Sequence, residues 1–325
     1  MANQNRTTVS VSRHTDVPAF YGEWFMQRVA QGFAGWGPPD GGAHGLVSLR
    51  PSDVRNFVFW SKNFRPFLVH LRALHRRGYA CFLHACITGL PEEFEPSAVP
   101  AEYAADTLRQ IADLVPAAHV SWRYDPILLS ACTPPAYHVE RFTQIASLLE
   151  GLVARCHIRF AIRDRRNERA LARLQDRPEL ETFDLAPADR AELTADLADI
   201  ASRHGIAMHA CCDAPSAGEA AQRSPCLDAL VLGDAEEALG PQQERMARPG
   251  CACLHHVDVG RTDTCPGGCA YCVSNPDKRR AYTRYRAQDP HAVFLGLGRA
   301  ESDRLVATLQ AQEQHADAGS ATPRA

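Results

Sequence analysis

The feature that most constrains the fold is an alternation of short apolar segments with amphipathic helices along most of the chain. Runs rich in β-branched and aromatic residues are each followed by a stretch in which apolar residues recur every three or four positions. This pattern predicts parallel strands joined by crossover helices. The predicted strands span residues 8–12, 57–60, 80–87, 119–124, 156–162 and 206–211.

Six strand–helix units predict an α/β fold, and within it a partial (β/α)6 TIM-like barrel that is open on one side. A doubly wound open sheet is the alternative, because periodicity alone does not show whether a sheet closes. Three regions depart from the alternation. They are a Gly/Pro-rich loop at residues 35–45, an Arg-rich helical insertion at 163–178, and a polar tail at 310–325 that we expect to be disordered.

The overall composition is that of a soluble globular enzyme. Hydrophobic residues make up 45% of the 325 residues and charged residues 22%, both ordinary values. The formal net charge of −3 produces no strong field toward nucleic acid or an anionic membrane. No apolar run reaches about 18 residues, and no signal-peptide core follows Met1. We therefore expect a cytoplasmic protein with no membrane partner.

The twelve cysteines are not expected to form a disulfide framework in that compartment. Four of them lie in the first half of the chain, mostly within apolar runs, and are predicted to pack in the core: Cys81, Cys86, Cys132 and Cys156. The other eight crowd the last third, where metal binding is the better interpretation: Cys211, Cys212, Cys226, Cys251, Cys253, Cys265, Cys269 and Cys272.

The last three cysteines form a C-x3-C-x2-C motif, Cys265, Cys269 and Cys272. Zinc ribbons usually offer two C-x2-C pairs, and bacterial ferredoxins use a C-x2-C-x2-C run with a fourth cysteine. Three thiolates suit three irons of a 4Fe-4S cluster and leave the fourth iron open to a chelating cofactor. With Tyr271 before the third cysteine, the motif resembles the radical S-adenosyl-L-methionine (SAM) signature. Structural zinc and redox thiols are the alternatives.

The position of the motif is unusual for that signature, which normally follows the first strand. Here the loop after the first strand, residues 13–16, has no cysteine. The C-terminal loop would therefore have to return over the end of the barrel, with Cys265 close to Lys62 and Arg123. We expect a partial barrel over residues 1–213, a cluster-binding extension over 214–295, and a C-terminal helix with a disordered tail over 296–325.

Most of the predicted strands are followed by, or end in, polar residues. In a parallel sheet these strand ends meet at one edge and line the site. The candidate catalytic residues are Arg13, His14, Asp16, Lys62, Asn63, Arg123 and Asp125, with His84, Arg163, His209 and Asp213 as further candidates. We expect the cofactor contacts at Arg123, Asp125, Lys62 and Tyr271: a cation for the methionine carboxylate, and Asp or Asn for the ribose hydroxyls or the amine. A structural Arg123–Asp125 pair and core histidines are the alternatives.

Four groups of residues carry a resemblance to a known family: 10–21, 59–63, 122–126, and a terminal group with Cys251-x-Cys253, Val257–Gly260 and Cys265-x3-Cys269-x-Tyr271-Cys272. On these groups the chain resembles the bacterial and archaeal family catalogued as domain of unknown function 1848, and the resemblance extends over nearly the whole chain. The resemblance implies a C-terminal motif similar to that of radical enzymes, and further cysteines at the positions of Cys211 and Cys226. The chain departs from the family at His14 and directly after the last motif cysteine.

Four thiols remain once the motif is set aside: Cys211, Cys226, Cys251 and Cys253. Four thiolates are enough to ligate a second, fully coordinated 4Fe-4S cluster. A structural zinc ion at the same residues is the rival interpretation, and Cys212 could replace Cys253.

These observations predict an oxygen-sensitive radical SAM-type enzyme that generates a 5′-deoxyadenosyl radical and acts on an unknown small molecule or peptide. Flavodoxin or ferredoxin would supply the electron. A nucleic-acid repair or modification lyase with the same chemistry is an alternative, because residues 278–286 interleave cations with tyrosines; contact with nucleic acid is the less favoured interpretation. The third hypothesis is a zinc- or cluster-stabilised binding protein without radical chemistry.

Overall fold

The computed structural model describes residues 6–37, 43–174, 176–210, 220–227 and 253–320. Strands in these ranges are β1 (Thr7–Val11), β2 (Phe33–Trp36), β3 (Gly45–Ser48), β4 (Val54–Ser61), β5 (Cys81–Cys86), β6 (Val120–Ile127), β7 (Arg155–Phe160), β8 (Ala207–Ala210), β9 (Gln222–Arg223) and β10 (Val257–Asp258). The α-helices are α1 (Val17–Phe20), α2 (Gly22–Gln31), α3 (Leu68–Arg76), α4 (Ala101–Ile111), α5 (Pro135–Leu149), α6 (Glu168–Ala172), α7 (Pro187–Arg203), α8 (Lys278–Ala287) and α9 (Arg299–Ser320). None of the helices in these ranges has an apolar stretch long enough to cross a bilayer.

Eight of these strands form one parallel sheet in the order β10-β1-β4-β5-β6-β7-β8-β9. The α/β prediction is confirmed, and each of the six predicted strands is present. From β1 to β9 the order follows the chain, without the change of direction that defines a doubly wound sheet. In the described residues β9 and β10 are not paired, so the sheet is not closed.

The two faces of the sheet differ because side chains alternate along each strand. One face carries buried apolar residues such as Phe59, Leu83 and Trp122. The apolar stripes of the helices cover this face; the Phe142 ring of α5 lies 4.4 Å from that of Trp122 between centroids. We call this face the helix-covered face. Burial of these large side chains, at about 25 cal/mol per Å² of apolar surface, is the main stabilising contribution here.

The opposite face, which we call the polar face, carries aromatic and imidazole rings instead. Trp60 stacks on His84 with centroids 4.9 Å apart, and His84 meets His157 at 5.8 Å. His157 in turn lies 5.4 Å from His209. All three histidines are buried, so the candidates His84 and His209 lie within the sheet layer.

The structure differs from the expectation in two irregular regions. The ends of the expected loop at 35–45 belong to an antiparallel hairpin, in which Phe33 pairs with Ser48 and Trp36 with Gly45; composition does not reveal pairing across a loop. Helix α9 extends to Ser320, through much of the tail expected to be disordered. Its Ala- and Gln-rich composition is weakly hydrophobic, but it also has high helix propensity.

The C-terminal part returns to the sheet through β10. Val257 pairs with Val9, and Asp258 with Ser10. The Asp258 carboxylate accepts hydrogen bonds from the hydroxyls of Ser10 and Ser12, the latter at 2.6 Å, and from the Arg13 N–H at 2.8 Å. This contact brings the chain after β10 to the carboxyl end of β1.

Candidate functional site

A cavity of about 280 Å³ lies at the carboxyl ends of the parallel strands. Five strands reach its wall, and each contributes a side chain at or next to its end: Ser12 after β1, Ser61 of β4, Cys86 of β5, Asp125 of β6 and Arg159 of β7. The loop that carries the cysteine motif closes the other side. The volume is near the lower end of the range for small-molecule sites, about 300–1,000 Å³.

Buried hydrogen bonds hold the motif loop over the strand ends. The Tyr21 hydroxyl donates to the Thr264 carbonyl at 2.6 Å. The Asn275 amide oxygen accepts from the N–H groups of Thr264 and Cys265, both at 2.9 Å. The Asn275 amide nitrogen donates to the His14 carbonyl at 2.8 Å. One asparagine side chain thus ties both ends of the motif loop to the loop after β1.

All three motif cysteines, Cys265, Cys269 and Cys272, line the cavity together with Lys62 and Arg123. The structure therefore brings the cysteine motif and the strand-end cations together, although they are more than 140 residues apart in sequence. Burial raises the pKa of the Cys269 thiol to about 12, against the charges of Lys62 and Lys278 nearby. Burial also raises the pKa of Cys265.

Glu95 joins the motif loop to β4 and was missed by sequence reasoning. Its carboxylate is buried and accepts from the Lys62 ammonium at 2.8 Å, from the Thr88 hydroxyl at 2.7 Å and from the Tyr271 hydroxyl. Burial opposes the charge of Lys62, but Glu95 and Cys269 more than offset it and raise the pKa of the lysine. Glu95 is one of several glutamates in a loop, and nothing in the local sequence distinguishes it.

Asp125 is shared by two arginines. It accepts from Arg123 and, at 3.0 Å, from the Nε–H of Arg159. Burial opposes its ionisation, but the two guanidinium groups hold the pKa of Asp125 well below its usual range. The predicted Arg123–Asp125 pair is therefore an ion pair at the cavity wall. Arg159 was missed because the strand was expected to end at residue 162, two residues later than it does.

The other predicted residues also line the cavity: Arg13, His14, Asp16 and Asn63. Asp16 accepts from the N–H of Lys62 at 2.9 Å and of Ala19 at 3.0 Å, and burial raises its pKa to about 6. Arg13 approaches the His256 ring nitrogen at 3.3 Å. The Asn63 amide oxygen caps the turn at Arg65.

Some predicted residues fall elsewhere. Arg163 donates to the carbonyl and the hydroxyl of Thr182 at the surface. Cys211, Cys212, Asp213 and Cys251 lie outside the described residues.

Of the predicted second cysteine set, the structure describes Cys226 and Cys253. Both are buried, and their Sγ atoms are 3.4 Å apart. Cys226 also contributes to the cavity wall. Across the described ranges, no three His, Cys, Asp or Glu side chains converge on a point where one metal ion could bind. A 4Fe-4S cluster needs a different arrangement, since each thiolate binds a different iron.

Comparison with known proteins identifies one family. The model of the family described as Domain of unknown function (DUF1848) matches residues 8–274, from β1 to just past the cysteine motif, so the chain belongs to this family. No curated protein and no solved structure matches the chain.

Proposed function

We propose that this member of the DUF1848 family is a radical SAM-type iron–sulfur enzyme. The observation that carries the proposal is the common cavity, in which three thiols of a C-x3-C-x2-C loop face the polar ends of five parallel strands. The proposal includes a partial (β/α)6 barrel, since the strands from β1 to β8 are neighbours in chain order, as they are in a TIM barrel. It also includes a cytoplasmic location, where thiols remain reduced.

The residues present fit the cluster in ligand chemistry and in charge. Cys265, Cys269 and Cys272 would hold three irons through their thiolates. Among the described residues the buried Lys278 ammonium nitrogen has no hydrogen-bond partner, and its charge acts on Cys269. Such a group is costly unless a negative charge lies nearby, and an anionic cluster would supply it. A cluster held there would supply the one electron that cleaves the sulfonium of SAM into methionine and a 5′-deoxyadenosyl radical.

The protein side chains would bind and orient the cofactor. Arg123 and Arg159 share the single carboxylate of Asp125, so this group carries an excess positive charge that suits the methionine carboxylate. Lys62 and Tyr271 are both fixed by Glu95. Their positions are therefore set before a ligand enters, which lowers the entropic cost of binding.

Hydrogen-bonding groups at the end of β1 and after β4 complete the wall. Asp16 and Asn63 offer carboxylate and amide groups for the ribose hydroxyls or the amine. His14 and Arg13 face the remaining space, where a small-molecule or peptide substrate would bind. The hydrogen that the radical removes would come from that substrate.

Anaerobic reconstitution with iron and sulfide tests the proposal. We expect about four irons to depend on the motif, and deoxyadenosine to form from SAM under dithionite. The triple substitution Cys265→Ala, Cys269→Ala and Cys272→Ala should abolish both. The matched control, Cys81→Ala with Cys156→Ala, removes two buried cysteines of the helix-covered face and should preserve both. Zinc at the motif without SAM cleavage would support the binding-protein hypothesis instead.

Replacing dithionite by reduced flavodoxin or ferredoxin tests the electron donor.

The exposed side of α8 favours a second candidate, a nucleic-acid lyase with the same chemistry. Arg279, Tyr282 and Arg286 are exposed, which suits contact with phosphates and bases. In contrast, Arg284 donates to the Thr262 carbonyl at 3.1 Å, and Tyr285 packs on Tyr21 with ring centroids 5.5 Å apart. Salt-dependent DNA binding that is lost on replacing Arg279 and Arg286 by Gln would support this candidate; the absence of binding at low salt would remove it.

A further inference from the structure

The Arg-rich segment between β7 and α7 places a concentrated positive charge on the surface. Residues 163–177 contain six arginines and three acidic residues, a net charge of +3 in a chain whose net charge is −3. All six arginines are exposed, in and around the short helix α6. Among the described residues that line the cavity at the strand ends, none belongs to this segment. Its charge therefore faces solvent and not the cavity.

Three of these arginines have no partner within the described part of the chain. Arg165, Arg169 and Arg173 make no ion pair there, whereas the other three arginines bond to neighbouring groups. A spacing of four residues places Arg169 and Arg173 on one side of the helical turns. The buried Asn167 and Leu171 lie on the other side. We call Arg165, Arg169 and Arg173 the arginine surface.

The inner side of the same segment contacts the motif loop. The Asn167 amide nitrogen donates to the carbonyl of Tyr271 at 2.9 Å, and Tyr271 directly precedes Cys272. Leu171 packs in one apolar cluster with Ala270 and Tyr271. The arginine surface is therefore the outer side of an element whose inner side supports the cysteine motif.

The motif also acts electrostatically on this part of the surface. The Arg166 side chain is 57% exposed. Its hydrogen bonds to Asp164 raise the pKa of Arg166, burial opposes this change, and the charge of Cys272 adds to the rise. A guanidinium group in contact with solvent thus lies within electrostatic range of a motif thiol. An electron delivered at this surface would cross little protein before it reaches the motif.

Two exposed apolar side chains flank the arginine surface. Ile162 is 51% exposed and Phe183 is 42% exposed, and they are two of the five large apolar residues exposed in the described ranges. Arg163 donates to the Thr182 carbonyl, which brings the two together. Arginine beside apolar anchors is typical of protein interfaces. Nucleic acid is less suited, because the three acidic residues of the segment repel phosphates.

From these contacts we propose that the arginine surface is the docking site of an acidic protein that carries one electron. The inference rests on the proposed radical chemistry, in which each cleavage of SAM consumes one electron. The reduced carrier gives up that electron and leaves in its oxidised form, without a covalent bond to the chain. Opposite charges speed the encounter and orient the carrier. Electron-transfer interfaces are small, below about 1,200 Å² in total, which a surface of this size can provide.

Binding to an acidic flavodoxin and to an acidic ferredoxin tests the docking site. Each is titrated at low salt into the full-length chain, both iron-free and reconstituted. For the carrier that the wild type binds more tightly, the triple substitution Arg165→Gln, Arg169→Gln and Arg173→Gln should raise Kd at least about tenfold. The difference should shrink as salt screens the charges.

A matched control removes the same number of charges elsewhere. Arg72, Arg76 and Arg109 are exposed arginines of α3 and α4, and their replacement by Gln should change Kd by less than about twofold. Lysine at all three positions of the arginine surface keeps the charge and should preserve most of the affinity. That variant separates the loss of charge from a failure to fold.

Turnover gives a second readout on reconstituted protein. The Gln variant of the arginine surface should lose at least about tenfold in carrier-dependent formation of deoxyadenosine. It should keep the dithionite-dependent rate, because dithionite needs no docking site. Failure of the radical proposal would appear separately, as no deoxyadenosine from the wild type with dithionite, whereas the binding measurements on iron-free protein still test the surface.

Four results would overturn the inference: no binding of either carrier to the wild type, an unchanged Kd in the Gln variant, an equal rise in the control, or an equal loss of the dithionite-dependent rate. DNA binding that depends on the arginine surface, without binding of a carrier, would equally contradict it.

Discussion

The helix-covered face and the polar face of one sheet use the same strands for opposite purposes. On β6, Trp122 packs against the Phe142 ring of α5, whereas the next residue, Arg123, faces the cavity and pairs with Asp125. On β4, Phe59 is fully buried beneath the helices, whereas Trp60 lines the cavity and stacks on His84. Apolar packing is concentrated on one face and polar, ionisable groups on the other, and alternation along the strand separates them.

The sharpest comparison is between the two tryptophans. Trp122→Ala should lower the free energy of unfolding by about 4 kcal/mol, because it leaves a closed void and removes the indole donor to the Ile87 carbonyl. Trp60→Ala should cost about half as much, since part of its ring faces the cavity and water can enter. Urea denaturation of the iron-free proteins measures both. Equal losses of unfolding free energy in the two variants would contradict the proposed difference between the faces.

The pH dependence of stability tests the helix-covered face at His138. Its Nε2–H donates to the Leu128 carbonyl at 3.0 Å, so Nδ1 accepts from the Tyr124 hydroxyl at 2.8 Å. Burial lowers its pKa from 6.5 to about 4. The unfolded chain therefore binds a proton in this pH range that the folded chain does not. Stability is fully present above pH 6.5 and should fall by about 3 kcal/mol down to about pH 4.

The His138→Gln variant has no titratable group at this position, so it should lack the part of the acid destabilisation that His138 contributes. The remaining slope reports other buried histidines, including His84 and His157, so the difference between the two profiles is the measured quantity. Parallel profiles for the wild type and the variant would contradict the assignment.

At the cavity, Glu95→Gln keeps the shape of the side chain but removes the negative partner of Lys62. A buried ion pair broken on one side costs about 3–5 kcal/mol; the Lys62 side chain is 17% exposed, so we expect about 2 kcal/mol in urea denaturation. The pKa of Lys62 should fall as well. Glu93→Gln is the matched control, because its pair with Arg177 is at the surface and should contribute less than about 0.5 kcal/mol. Equal effects would show that Glu95 has no special role.

The smallest effect is expected at Lys278, where iron-free and reconstituted protein test two different quantities. In iron-free protein, Lys278→Met removes a buried ammonium that has no partner in the part of the chain that the structure describes, and it should stabilise the fold by about 1 kcal/mol. In reconstituted protein it removes a positive charge near Cys269 and should shift the cluster midpoint potential to a more negative value. Arg279 is an exposed neighbour of Lys278, so Arg279→Met should change neither the stability nor the midpoint potential. An unchanged midpoint potential would show that the charge of Lys278 does not act on the cluster.

Much of the fold could be predicted from the sequence because strand and helix periodicities are local. The apolar runs located the six main strands to within a few residues. The short strands β9 and β10 could not be found in this way, since a two-residue strand has no periodicity and exists only through its pairing partner. The hairpin of β2 and β3 has the same origin.

Within the candidate site, the residue types at strand ends were predictable, but their partners were not. Arg123 and Asp125 are close in sequence, so their pairing could be anticipated. Arg159 is 34 residues from Asp125, and Glu95 is 176 residues from Tyr271. Such contacts depend on how the strands and loops pack, and the residues themselves are unremarkable in sequence.

The sequence alone determined the α/β alternation and the spacing of the motif cysteines, because both are patterns among near neighbours in the chain. Only the tertiary structure decided where the motif loop lies: Asn275 binds the carbonyl of His14 across 261 residues, and this contact brings Cys265 to the strand ends. The 3.4 Å approach of Cys226 and Cys253 was likewise decided by packing. Local periodicity fixes elements, whereas the geometry between distant side chains depends on the whole core.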